Sequence, residues 1–257
     1  MAIILPFSEI SNQVKIKVTS KKVLIDTCAL ISFSHDTSEF HDETLDLFTV
    51  LMKEKFHVYS NVNIRSEFID HQRRIIITEA LTSLSQQVDG ILSNRELARR
   101  LKSHRANVHK RANAGNSLVL NDSTIKQFKK HLSFGHKNIK NVWLRFCDDN
   151  LKGRLEKTFD LISSVLKFKY ISLRKEDRSP EVIKDVSWDK MYQISEKSGL
   201  SISDSMILNM FKCTDIPFLV TTDFDLVYAA AISTDQRLIF CPERIYVDFQ
   251  DKFSQTI

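Results

Sequence analysis

Four cysteines, five glycines and four prolines are all that 257 residues hold of the residue types that cross-link or interrupt a chain. Cys28, Cys147, Cys213 and Cys241 form no C-x-x-C pair and no zinc-ligand spacing, which excludes a cysteine-based metal motif. Free buried thiols in a reducing compartment are expected instead. No apolar run approaches the ~18 residues of a membrane span. The run Ala2-Ile3-Ile4-Leu5-Pro6 is too short for a signal sequence and has no basic residue before it. The expectation is a cytoplasmic protein without a membrane partner. No G-x-x-x-x-G-K occurs, so a P-loop is excluded. The histidines form no constellation with Ser or Cys that would suggest nucleophilic catalysis.

Acids are scarce in one region. Between Asn94 and Arg145 stand thirteen Lys/Arg against only Glu96 and Asp122, a balance of +11. The chain totals +5, so the remainder carries 5 − 11 = −6. A basic middle on an acidic body points to a polyanionic partner. Arg95, Arg99, Lys102 and Arg105 recur at spacings of three and four and would form one helical stripe. Lys126, Lys129 and Lys130 repeat the habit, with Phe128 and Trp143 as expected stacking surfaces for bases.

What is present reads as strands alternating with helices, hence an α/β fold with a parallel sheet. Val23-Leu24-Ile25 is a buried strand that stops at Asp26 and turns into a helix. His57 to Ser60 is a second strand, and Asn61 caps a helix carrying Ile64, Glu67 and Phe68. Ser201 starts a helix with Asp204 in its first turn. Pro217 to Thr222 is a buried strand ending at Asp223. Closing strands are expected at Arg237 to Phe240 and Arg244 to Val247, and an edge strand over Val14 to Val18 from its period-two pattern. Residues 85–160 read as helical, an insertion within a single domain spanning 1–257.

Taken singly, Asp26 and Asp223 have an ordinary role as caps, and Asp204 suits a helix N-terminus. Jointly they mean more. A parallel sheet puts the ends of its strands on one edge, where ligands bind in open α/β folds. Carboxylates gathered there repel unless a cation neutralises them, and hard oxygen ligands suit Mg²⁺ or Mn²⁺.

Four stretches resemble the PIN-domain ribonuclease family: Val23-Leu24-Ile25-Asp26-Thr27, Ser66-Glu67-Phe68, Gly199 to Leu208 with Asp204 inside it, and Leu219 to Leu226 with Asp223 and Asp225. The resemblance implies a PIN-like parallel sheet flanked by helices. It also implies a metal-dependent endoribonuclease that cuts single-stranded RNA by a two-metal mechanism with Mg²⁺ or Mn²⁺ and leaves 5′-phosphate and 3′-OH ends. Asp26, Glu67, Asp204 and Asp223 are then catalytic, metal-holding acids, with Asp225 as an auxiliary. Cys28 departs from the family, which often has Asn there. The resemblance further implies roles such as toxin, RNA decay or phage defence, with an antitoxin or other regulatory protein, or a second copy, as partner. Two readings stay open beside it: a structure-specific DNA nuclease, and a nucleic-acid-binding protein that does not cut.

Overall fold

The computed structural model describes residues 2–17, 20–86, 99, 102–103, 106, 119–134, 142–232 and 237–254. It divides into two compact units, Met1–Phe68 with Ile162–Ile257, and Ile69–Leu161. The expected insertion over 85–160 falls inside the second.

The first unit is α/β. Its strands are β1 (Ile3–Pro6), β2 (Lys22–Ile25), β3 (His57–Ser60), β4 (Lys169–Tyr170), β5 (Phe218–Val220) and β6 (Leu238–Cys241). All pair in parallel, in the order β1-β6-β5-β2-β3-β4. Helices flank the sheet: α1 (Ile10–Lys17), α2 (Thr27–Ser34), α3 (His41–Lys53) and the start of α4 (Val62–Gln86). The central strands are continuous apolar runs because both faces are covered. Val23, Leu24, Ile25, Leu219 and Val220 are fully buried, and Leu24 sits in register between Tyr59 and Leu219.

The elements of the second unit among the described residues are all helices. The unit holds the rest of α4, then α5 (Asp122–Phe134), α6 (Val142–Leu151) and most of α7 (Arg154–Leu166). Ile77, Leu81, Leu120, Ile125, Phe128, Leu132 and Trp143 form its core. Thr78 Oγ1 accepts from Leu120 N at 3.0 Å, and Arg73 joins Asp70 to Asp122 at 2.7 Å each.

After β4 come α8 (Trp188–Ser198), α9 (Ile202–Lys212), α10 (Phe224–Ala231) and α11 (Glu243–Ser254). Local chemistry sets their ends. Ser187 Oγ accepts from Lys190 N, and Gly199 closes α8 at φ 74°, the left-handed region glycine enters without strain. Asn61 Oδ1 accepts from Asn63 N and Ile64 N, which starts α4.

Two sequence expectations fail at the sheet's margins. The strand expected over Val14 to Val18 is helix up to Lys17, because β1 already fills that edge: Ile4 pairs with Ile239 and is buried. The strand expected over Arg244 to Val247 is the start of α11. Ile245 and Phe249, four apart, are both 6% exposed, whereas Val247, which alternation would bury with Ile245, is 47% exposed. Among the described residues, no helix is long and apolar enough to cross a membrane.

Candidate active site

The chain runs from β2 to β3 to β4 on one side of β2, then returns to add β5 on the other. The carboxyl ends of β2 and β5 therefore mark the point where the winding reverses, the place that ligands occupy in open α/β sheets. Asp26 follows β2 there. Its backbone N–H donates to Val220 O at 2.9 Å, extending the ladder by one residue, and its side chain caps α2 by accepting from Cys28 N at 3.3 Å.

Asp26 is 1% exposed. Its Oδ2 accepts from Thr221 Oγ1 at 2.8 Å, whereas Oδ1, also buried, has no hydrogen-bond partner among the described residues. Burial is the largest influence on the carboxyl, and the charges of Asp204 and Asp223 add to it. Together, against the opposing Thr221 hydroxyl, they push it up to about 7.

Thr221 does two jobs with one hydroxyl. While donating to Asp26 it accepts from Asp223 N at 3.0 Å, so it joins the ends of β2 and β5. Asp223 caps α10 through Asp225 N at 2.8 Å. Partial burial raises its carboxyl above the usual range, with Asp204 and Asp225 contributing. Asp225 itself is exposed.

Asp204 lies in the first turn of α9, where Ser201 is the cap. Ser201 Oγ accepts from Asp204 N at 3.2 Å and donates to Asp204 Oδ2 at 2.6 Å. Partial burial raises Asp204, and Glu67 and Asp225 add to the rise. Glu67, on α4, accepts at Oε2 from Thr27 Oγ1 at 2.6 Å, one residue past Asp26. Cys28 feels the whole group. Burial first, then the charges of Asp26, Asp223, Asp204 and Glu67, hold its thiol far above the ordinary range. A thiol kept protonated is no nucleophile.

The structure thus brings Asp26, Glu67, Asp204 and Asp223 into one field, with Asp225 at its margin. They do not close on a point. Among the described residues, no three His, Cys, Asp or Glu side chains stand close enough to grip one ion together. Asp26, Glu67 and Asp204 each accept from a neighbouring hydroxyl, and Asp223 from a backbone amide. The three hydroxyls, on Thr27, Ser201 and Thr221, were not expected to support the acids. Their only sequence signal is position: each lies within five residues of an acid in the same motif.

The basic residues separate into two groups. Arg99, Lys102, Lys126, Lys129 and Lys130 are exposed, the last three on α5 opposite buried Ile125, Phe128 and Leu132. Arg95 and Arg105 lie outside the described residues. The stacking role expected of Phe128 and Trp143 does not hold: they are 4% and 8% exposed, because both complete the core of the second unit. Compared with models of known protein families, with curated proteins and with solved structures, the chain matches none.

Proposed function

We propose that the chain is a PIN-type nuclease that hydrolyses phosphodiester bonds in RNA with the help of Mg²⁺ or Mn²⁺. One observation carries this reading: a carboxylate, Asp26, at the switch point of a parallel sheet, with one oxygen that has no donor among the described residues and a pKa raised by burial first and then by Asp204 and Asp223. A protein that keeps mutually repelling carboxylates in one place needs a counter-charge. The donors are all hard oxygens, the set Mg²⁺ and Mn²⁺ prefer. Such a cation keeps several waters and takes only one or two carboxylates directly, so Asp26, Glu67, Asp204 and Asp223 would hold it partly through those waters, with Asp225 in support. The bound cation supplies a more acidic water and offsets charge on the leaving oxygen.

The chain's own part is positioning. Thr221 fixes Asp26 against the Asp223 loop, Thr27 orients Glu67, and Ser201 turns Asp204 at the start of α9. Caps and hydroxyls of this kind hold an acid at one angle without neutralising it. The exposed lysines of α5 suit phosphate backbone contacts that carry no base information.

The test is to incubate the purified protein with total RNA and Mn²⁺ and to map the ends. Fragments with 5′-phosphate and 3′-OH ends that vanish with EDTA are expected. Absence of metal-dependent fragments, or ends carrying a 2′,3′-cyclic phosphate, would contradict the assignment.

A further inference from the structure

Helix α9 has a second feature at its far end. Asp204 sits in its first turn, while Lys212 and Cys213 at its close line a cavity of about 620 Å³. Eight residues separate Asp204 from Lys212, about 12 Å along the axis. The cavity is therefore not part of the acid cluster.

Its charge is of one sign. Lys184, Lys190, Lys197, Lys212 and Arg237 line it, and among the described residues no carboxylate does. Lys190 and Lys197 come from α8 at a spacing that puts both on one face with Ile194. Among the described residues, none of the four lysines forms a salt bridge. Arg237 is differently placed. Its guanidinium donates to the carbonyls of Phe211, Ile216 and Lys212 and lies over the Phe211 ring at 5.0 Å, so it neutralises the negative end of α9. Burial holds the Cys213 thiol above its ordinary range, although four of the five cations, Lys190, Lys184, Arg237 and Lys212, act to lower it.

The floor is different again. Ile194, Leu208, Ala229 and Ile232 give it an apolar surface, and Gln193 adds an amide, whereas the Asn209 amide already donates to Ser187 O at 2.9 Å. The volume lies within the range of small-molecule sites. A rim of lysines with no counter-ion among the described residues wants phosphate, and an apolar floor bearing an amide wants a flat heterocycle.

We propose that this cavity binds a free nucleoside polyphosphate, its phosphates on the lysine rim and its base on the floor between α8 and α10. The proposal stands apart from the nuclease reading and does not depend on it.

Isothermal titration of the full chain in EDTA, with ATP, inorganic tripolyphosphate and adenosine as probes, tests it. ATP should bind best, tripolyphosphate more weakly, and adenosine weakest. Lys190→Gln/Lys197→Gln removes two charges from an exposed helix face at no cost in helix propensity. It should weaken ATP about tenfold or more, with the ligand-free melting temperature unchanged. Lys190→Arg/Lys197→Arg should stay within a few-fold of wild type. No ATP binding, equal ATP affinity in the wild-type and Gln proteins, or tripolyphosphate binding as tightly as ATP would overturn the proposal. So would loss of single-stranded RNA binding in the Gln variant of a protein that does not bind ATP, which would make the surface a backbone path.

Discussion

Asp26 is the residue on which the site turns. A carboxyl raised to about 7 in the folded chain, against about 4 unfolded, binds its proton more tightly when folded. Its favourable effect on stability is complete below the unfolded value and is lost as pH rises toward 7. For the metal-free protein, stability should therefore fall between about pH 4 and pH 7, by at most roughly 4 kcal/mol from this group. Asp26→Asn should flatten that fall in urea melts with EDTA and abolish RNA cleavage while leaving the fold intact. An unfolded variant, or one cutting at the wild-type rate, would contradict this role. Thr221→Val keeps the shape and deletes the hydroxyl that serves both Asp26 and Asp223. Leaving those partners without it should cost about 1–3 kcal/mol at neutral pH. Cleavage should drop about 10- to 100-fold, the usual effect of losing a group that orients a metal ligand. Equal stability and rate would mean the hydroxyl is incidental.

At the scale of elements, legibility followed burial. β2 and β5 could be read from sequence because a strand covered on both faces is an unbroken apolar run, and in each case an acid follows it. α9 could be read from Ser201, and the end of α8 from Gly199, because capping is local chemistry. The margins could not. Over four or five residues periods of two and 3.6 place nearly the same positions inside, so Ile245 and Val247 look paired until Phe249 fixes the helical face. The hydroxyls of Thr27 and Thr221 were hidden for another reason: their partners are 40 and 195 residues away. The buried state of Phe128 and Trp143 is likewise a tertiary fact. What remains for nucleic acid on α5 is its lysine face. Reversing Lys126, Lys129 and Lys130 to Glu should weaken RNA binding by about tenfold or more at low salt and flatten its salt dependence. Fluorescence anisotropy across a salt series reads both. An unchanged slope would mean that a protein partner, not RNA, meets this face.

At the scale of the whole molecule, charge and topology divide the work. The parallel sheet brings acids from α4, α9 and the ends of β2 and β5 to one edge, although they are distant in sequence. The basic surplus of +11 is confined to residues 94–145. On the proposed reading the acids at that edge serve cation binding together, and a cation that binds only the folded chain must stabilise it. The most direct measurement is the shift in melting temperature with Mn²⁺, compared between wild type and Glu67→Gln/Asp223→Asn. Wild type should rise by several degrees at saturating Mn²⁺, as a few kcal/mol of linked binding requires. The double variant should rise far less. Equal shifts in the two proteins would mean that these acids are not where the metal binds.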